Sequence, residues 1–196
     1  MLKKILLSVL IQTALAGVLS AQSVPDALTP SSIFVGVQPI AVNPDWGCPK
    51  GGGFSCWDRH MYGFDAYVGL NQVWRRVGVE GDVRMLNWGG VTSQMREANY
   101  IAGPTIRVLG RRKLMLVVDM QAGLASITLP YNQGTSRYFV YSPSGHIDQR
   151  ITNDFTVRYD YEYQFWPQFA GARGTHGLTP NGFGVGITYK VHPRRF

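Results

Sequence analysis

Strict alternation of apolar and polar side chains recurs along most of this chain. It is clearest in residues 155–166 (FTVRYDYEYQFW), where apolar or aromatic residues occupy every second position and polar residues lie between them. Successive side chains of a β-strand point to opposite faces, so this pattern predicts a strand with one apolar and one polar face. A soluble sheet buries the apolar face in a core, whereas a membrane barrel turns it to lipid and keeps the polar face in the lumen.

The same alternation predicts eight strands in all, at residues 31–42, 61–71, 77–88, 99–109, 113–127, 137–151, 155–166 and 181–191. Pro104 predicts a bulge or irregular spot in the fourth strand, and residues 142–145 (SPSG) predict an interruption of the sixth. The connections are short after the second, fourth and sixth strands and long elsewhere. Because this rhythm is typical of barrels with short periplasmic turns and longer external loops, the predicted fold is all-β: an eight-stranded antiparallel up-and-down transmembrane β-barrel.

The N-terminal segment has the features of a secretory signal. Lys3 and Lys4 precede an apolar stretch over residues 5–19, and small residues end at Ala21, after which cleavage is expected. An uncleaved anchor is the alternative, although the apolar run is shorter than the ~20 residues of a spanning helix. The predicted organisation is therefore a signal peptide (1–21), a flexible lead-in (22–30), the barrel (31–191) and a C-terminal tail (192–196).

Composition fits a membrane barrel better than a soluble domain. Charged residues make up 16% of the chain and aromatic residues 12%, whereas soluble domains average about 25% charged residues. The net charge of +7 could indicate nucleic-acid binding. We expect no nucleic-acid partner, because the basic residues are spread over pairs at predicted turns and at the C-terminus rather than gathered in one patch.

The two cysteines, Cys48 and Cys56, lie in a predicted loop rich in glycine and proline. An exported chain meets an oxidising compartment, so a disulfide between them is expected. A metal site is not expected, because the nearby candidate ligands are limited to Asp45, Asp58 and His60.

Charges of both signs fall on the polar faces of the predicted strands. We expect a network of charged residues in the lumen formed by Asp65, Glu80, Asp82, Arg84, Arg107, Asp119, Asp148, Arg150, Arg158, Asp160 and Glu162. An eight-stranded barrel is just wide enough for side chains to fill it, and opposed charges lower the cost of their burial. The prediction is a polar plug rather than an open pore.

The apolar faces are expected to contact lipid, and the predicted lipid-facing residues include Tyr159, Tyr161, Tyr163, Phe183, Val185, Ile187 and Tyr189. Aromatic residues crowd the predicted strand ends, as interfacial girdles do: Trp46, Trp57, Tyr62, Trp74, Trp88, Tyr100, Tyr163 and Trp166. Glycines recur on the polar face, where a narrow lumen favours small residues. The alternative is a soluble sandwich or lipocalin-like barrel with the charged face in water.

Three stretches carry a resemblance to a known family: residues 67–84 (YVGLNQVWRRVGVEGDVR), 151–169 (ITNDFTVRYDYEYQFWPQF) and 177–191 (GLTPNGFGVGITYKV). Together with the signal and the four long loops, they resemble the small outer-membrane β-barrels of the OmpA type. The resemblance implies a Gram-negative outer-membrane protein that is exported by the Sec route and inserted by the barrel-assembly machinery, with outer-membrane lipid as its surroundings.

Two features at the C-terminus differ from that family. Members usually end in an aromatic residue at the end of the last strand, whereas here Tyr189 lies near that end and the terminal Phe196 follows Pro193, which would break a strand. No peptidoglycan-binding domain follows the predicted barrel, so a cell-wall anchoring role is not implied.

Catalytic chemistry is not indicated. His60, His146, His176 and His192 have no metal-ligand spacing, and no nucleophilic serine motif accompanies His146 and Asp148. We therefore expect no catalytic residues, no cofactor and no metal. The expected function is non-enzymatic, in envelope integrity or surface interaction through loops 43–60, 89–98, 128–137 and 167–180, with an extracellular ligand that the sequence does not identify. The alternatives are a narrow pore for ions or small solutes and a soluble secreted binding barrel.

Overall fold

A computed structural model describes residues 32–44, 60–88, 96–111, 113–128, 134–169 and 177–191. The expected signal peptide, lead-in and tail lie outside these residues, as do the two cysteines of the expected disulfide. In the described part of the chain, no helix is both long enough and apolar enough to span a membrane.

The described residues form a closed barrel of eight antiparallel strands: β1 (Ser32–Asn43), β2 (Met61–Trp74), β3 (Val77–Trp88), β4 (Arg96–Gly110), β5 (Leu114–Thr128), β6 (Thr135–Arg150), β7 (Phe155–Tyr163) and β8 (Asn181–Val191). Each strand pairs with the next, and β8 pairs with β1, so the sheet has no free side edge. The predicted fold class and strand count are confirmed. We call the end with the three short connections the turn end and the opposite end the loop end.

The sixth strand is continuous, so the predicted interruption at residues 142–145 is wrong. β6 pairs with β5 through this whole segment, including Met120 opposite Pro143. On its other side, the ladder with β7 stops at Ser144, and a single bridge joins Tyr141 to Phe165. Proline has no N–H to donate, and here it lies in a gap of the β6–β7 ladder, where a missing donor breaks no pairing.

The irregularity predicted at Pro104 is present, but it does not shift the register at that point. The β4–β5 pairing skips from Ala102 to Thr105 and resumes in the same register. The register shift of this ladder lies further along, between Arg107 and Leu109. Proline therefore removes two pairs from one ladder, whereas the bulge itself forms near the turn end.

Several predicted boundaries are corrected. β4 begins at Arg96 and β6 at Thr135, so the loops predicted over 89–98 and 128–137 are shorter than expected. The strand predicted over 155–166 ends at Tyr163, after which Trp166 forms a separate bridge to Leu178. Each boundary moves because strand pairing across the barrel, rather than local alternation, decides where a strand ends.

Large apolar side chains cover the outside of the barrel, and charged side chains are buried within it. Phe64, Met85 and Met120 are each more than half exposed, while neighbouring positions such as Asp65 and Arg84 are at most 2% exposed. This is the reverse of a soluble protein, in which charged residues are almost never fully buried.

The lumen is not polar throughout. At the loop end, many inward positions are apolar, and they form two clusters. One contains Ile40, Val42, Met61 and Leu86. The other contains Ala125, Ile127, Val140, Trp166 and Leu178. Most of the charged groups lie in the middle of the barrel and towards its turn end, and Glu97 is buried at the loop end beside Asn99.

Candidate functional site

The candidate site is the buried charged cluster in the lumen. Alternation brings it together, because every second side chain of all eight strands points to the barrel axis. Its acidic members are Asp65, Glu80, Asp82, Glu97, Asp119, Asp148, Asp160 and Glu162, and its basic members are Arg84, Arg158 and the imidazole of His146.

Arg84 on β3 is the centre of one half of the cluster. Its two terminal nitrogens donate separately to the two carboxylate oxygens of Glu162 on β7. Its Nη2 also lies 3.6 Å from Asp65 Oδ2 on the neighbouring β2. A two-pronged contact of this kind fixes the guanidinium in one orientation and offsets part of the cost of burying both charges.

Arg158 on β7 is the centre of the other half. Its Nη1 donates to Glu80 Oε1 at 2.7 Å, and its Nε donates to Asp148 Oδ1 at 3.1 Å. Its guanidinium carbon also lies 4.1 Å from the ring centroid of Tyr67 and 5.4 Å from that of Phe34. Two carboxylates and two aromatic faces therefore hold this side chain near the turn end.

His146 on β6 lies between two carboxylates of the lumen. Its Nδ1 is 2.9 Å from Asp119 Oδ2, and its Nε2 is 3.6 Å from Asp148 Oδ2. Ser144, the nearest serine along β6, approaches Asp119 at 3.5 Å. The imidazole thus links β5 to β6 as part of the charged cluster, and the arrangement is not that of a serine nucleophile with a histidine base.

Side-chain amides extend the cluster, and sequence reasoning missed them. Gln38 Nε2 donates to Asp65 Oδ2 at 3.0 Å and lies 3.4 Å from Asp160 Oδ2. Nearer the loop end, Gln164 donates to Glu162 and accepts a hydrogen bond from Trp166 Nε1 at 2.7 Å. Alternation is the one sequence signal that could have placed Gln38 and Gln164 in the lumen, because both occupy the polar faces of their predicted strands.

Trp166 is fully buried, so its prediction as an interfacial aromatic is wrong. Its ring packs in the loop-end cluster beside Tyr138 and Phe169, with centroid distances of 5.8 and 6.2 Å. The segment after β7 turns inward over the barrel, and the indole N–H is satisfied by Gln164. Other predicted girdle residues, namely Tyr62, Trp74 and Tyr100, are more than half exposed on the outside.

Two predicted members of the charged cluster lie elsewhere. Arg150 is exposed at the end of β6, and Arg107 is half-buried near the turn end of β4. Both occupy inward positions by alternation, but these positions lie too close to the rim for full burial. Their absence from the buried set leaves eight carboxylates facing two guanidinium groups in the described lumen.

A cavity of about 10 Å³ lies in the middle of the charged cluster, which is space for about one water molecule. Asp65, Asp82 and Asp119 are among the residues that line it. Each of the three has one carboxylate oxygen without a hydrogen-bond partner in the described protein. Within the same part of the chain, no three or more acidic, histidine or cysteine side chains are placed to hold a metal ion. This cavity can hold water or attract a small cation.

Glycines of β8 make room for this packing. A Cβ atom added at Gly184 would come within 2.9 Å of Gln38 Cδ, and one added at Gly186 would come within 2.5 Å of Gln38 Cβ and 2.6 Å of Val37 O. Ordinary side chains do not reach such distances, so the Gln38 side chain fills the space left by the two glycines.

The residues predicted to face lipid lie on the outer face of β7 and β8. Tyr159, Tyr161, Phe183, Val185, Ile187 and Tyr189 are exposed there, and Tyr163 is half-buried against Phe165.

Comparison with solved structures identifies the same architecture in outer-membrane proteins. Neisserial surface protein A (NspA) is 7% identical over 82% of this chain and 97% of its own, with a TM-score of 0.62. The Yersinia pestis outer-membrane protein Ail in a phospholipid bilayer nanodisc is 14% identical over 82% of this chain and 99% of its own, with a TM-score of 0.50. No protein-family model matches the chain, and no curated protein matches it. The similarity shows the fold, as the resemblance to OmpA-type barrels implied.

Proposed function

We propose that this protein is a non-enzymatic barrel of the bacterial outer membrane, with a polar plug in its lumen. Its proposed surroundings are outer-membrane lipid, and its proposed route of insertion is the barrel-assembly machinery. It acts in envelope integrity or in surface interaction through the loops at the loop end.

The observation that carries this proposal is the reversed polarity of the barrel wall. Among the described residues, apolar side chains cover the outside, and eight carboxylates are buried inside with two arginines. A charged side chain buried without a partner is costly, and an apolar exterior in water is an aggregation hazard, so this arrangement suits a hydrocarbon exterior. The fold shared with outer-membrane proteins gives independent support.

Fractionation tests the location. Cells that produce the full chain are separated into periplasm, inner membrane and outer membrane, and the folded barrel is followed by its heat-modifiable migration on gels. Outer-membrane recovery of a heat-modifiable species is expected. Recovery of the mature chain in the aqueous fraction would instead indicate the soluble barrel.

The plug rests on the close filling of the lumen. The small size of the cavity among the charged side chains, about 10 Å³, and the two-pronged contact of Arg84 with Glu162 support this part of the proposal. In planar bilayers, the purified protein is expected to give no stable conductance above background.

A narrow cation pore is the second candidate, and the excess of carboxylates favours it. Eight buried carboxylates against two guanidinium groups would attract cations rather than anions. A stable, cation-selective conductance in the same bilayer experiment would favour this candidate over the plug.

A further inference from the structure

The exposed surface at the turn end is strongly basic. Five exposed residues of the short connections and their flanking strands form it, and we call them the basic rim: Arg75, Arg76, Arg111, Lys113 and Arg150. The three short connections all lie at this end, so the antiparallel topology gathers these residues into one band around the barrel.

A backbone hydrogen bond brings two members of the rim next to each other. The N–H of Arg150 donates to the carbonyl of Lys113 at 2.9 Å, across from β6 to the second turn. Neighbouring positive charges repel one another unless an anion lies between them, so this placement favours an anionic ligand.

The residues that the structure describes offer the rim little negative charge. Of the nine carboxylates in the described residues, eight are buried in the lumen, and Asp154 is the single one at the turn end. Within these residues, no member of the basic rim forms an ion pair with a carboxylate. Among the described residues, most carboxylates are thus buried in the lumen, while five basic side chains are exposed at the turn end.

The rim borders the apolar exterior of the barrel. The guanidinium of Arg75 lies 5.7 Å from the ring centroid of Trp74, whose side chain is 65% exposed. Leu109, Leu114 and Ile151 are also exposed close to the turns. Tryptophan beside arginine at the boundary of an apolar band is the arrangement found at the level of lipid headgroups.

We propose that the basic rim binds the phosphate groups of anionic phospholipids in the leaflet that surrounds the turn end. Guanidinium groups bind phosphate through paired N–H donors, and each basic residue near an anionic membrane surface adds an attraction of about 1 kcal/mol. This proposal rests on the proposed insertion of the barrel into a bilayer.

The test compares lipid retention by the full chain and by two matched double variants. The rim variant is R75N/R76Q, with asparagine at position 75 because the residue there has a positive φ of 54°, which asparagine tolerates. The control is R96Q/R137Q, which removes two exposed basic residues at the loop end. Each protein is folded into equal mixtures of phosphatidylglycerol and phosphatidylcholine, extracted gently, and analysed for bound lipid by native mass spectrometry.

Phosphatidylglycerol is expected to be retained preferentially by the wild type and the control, and the preference is expected to fall on the order of tenfold in the rim variant. Equal retention of both lipids by the wild type, or an equal loss in the control, would overturn the proposal. Binding of soluble polyphosphate without preference between the two lipids would assign the rim to a soluble anion and would also overturn it.

Heat-modifiable migration is recorded for every sample, and it distinguishes a failure of the proposed membrane barrel from a failure of the proposed lipid binding by the rim. A wild type that stays aqueous and never forms a heat-modifiable species contradicts the proposed membrane barrel. A heat-modifiable wild type without lipid preference contradicts the basic rim alone. If R75N/R76Q does not fold, the variant R111Q/K113Q replaces it and removes two other members of the rim at the next turn. The same roughly tenfold fall in the preference for phosphatidylglycerol is expected of it.

Discussion

Replacing Arg84 by methionine removes one of the two buried guanidinium groups of the lumen while it keeps much of the side-chain volume. Arg84 is 1% exposed, contacts both carboxylate oxygens of Glu162 and lies 3.6 Å from Asp65. The substitution leaves two buried carboxylates without their guanidinium partner. Breaking a buried pair in this way costs about 3–5 kcal/mol, because the remaining charge has lost both water and its counter-charge. R84M is therefore expected to lower the free energy of unfolding by about that amount.

The assay is urea-induced unfolding of the barrel in phosphatidylcholine vesicles, followed by tryptophan fluorescence. Two variants serve as comparisons. R150M removes an exposed arginine of β6, and surface substitutions of this kind usually change stability by less than about 0.5 kcal/mol. R84M/E162Q removes both partners of the main pair, and replacing a buried pair by uncharged groups is often close to neutral. The double variant is therefore expected to recover most of the loss.

Two outcomes would refute this reasoning. If R84M and R150M are equally stable, the lumen does not depend on the buried charge of Arg84. If R84M/E162Q is as unstable as R84M, the loss does not come from the unpaired carboxylate of Glu162.

Three further predictions follow from the barrel interior and its loops. G186V is expected to prevent folding, because even a Cβ at Gly186 would lie 2.5 Å from a side-chain atom. G81V is expected to fold, because the nearest atom to a Cβ at Gly81 is 3.6 Å away. Equal yields of heat-modifiable protein from the two variants would contradict this prediction. In a variant that keeps Trp166 as its sole tryptophan, brominated lipid chains are expected to leave the fluorescence unquenched, because the Trp166 side chain is 0% exposed. In a variant that keeps Trp74 alone, they are expected to quench it, because the Trp74 side chain is 65% exposed. Quenching in both variants would contradict the inward position of Trp166. The two cysteines are expected to be unreactive towards a thiol reagent before reduction, and two reactive thiols would exclude their disulfide.

The strands and their faces could be predicted from alternation, because a period of two is imposed by the strand itself. Asp65, Arg158 and Glu162 are buried, and Ile187 is on the outside, on the faces that alternation predicts. Depth along the barrel could not be predicted in this way. The alternation of β6 places Arg150 on the inward face, but this residue lies at the end of the barrel, where an inward side chain still reaches water.

Pairing partners could not be predicted, because they depend on the register of distant strands. Arg84 and Glu162 are 78 positions apart and meet across the lumen. The burial of Trp166 was missed for a related reason: its position in an alternating run predicts a strand end, but β7 ends at Tyr163 and the chain then turns inward. The apolar loop end of the lumen, including Ile40, also lies on a face that alternation assigns as polar.

The central claim is that apolar side chains of this barrel contact lipid while the opposite face of each strand is enclosed. Isoleucine methyl groups report on both sides in one experiment. Ile106, Ile147 and Ile187 are 45–58% exposed, whereas Ile40 and Ile101 are 3% and 4% exposed. In bilayer nanodiscs, the first three methyl groups are expected to show nuclear Overhauser effects to lipid acyl chains, and the last two are expected to show none. Acyl-chain contacts to Ile40 and Ile101, or none to the outer three, would contradict the account.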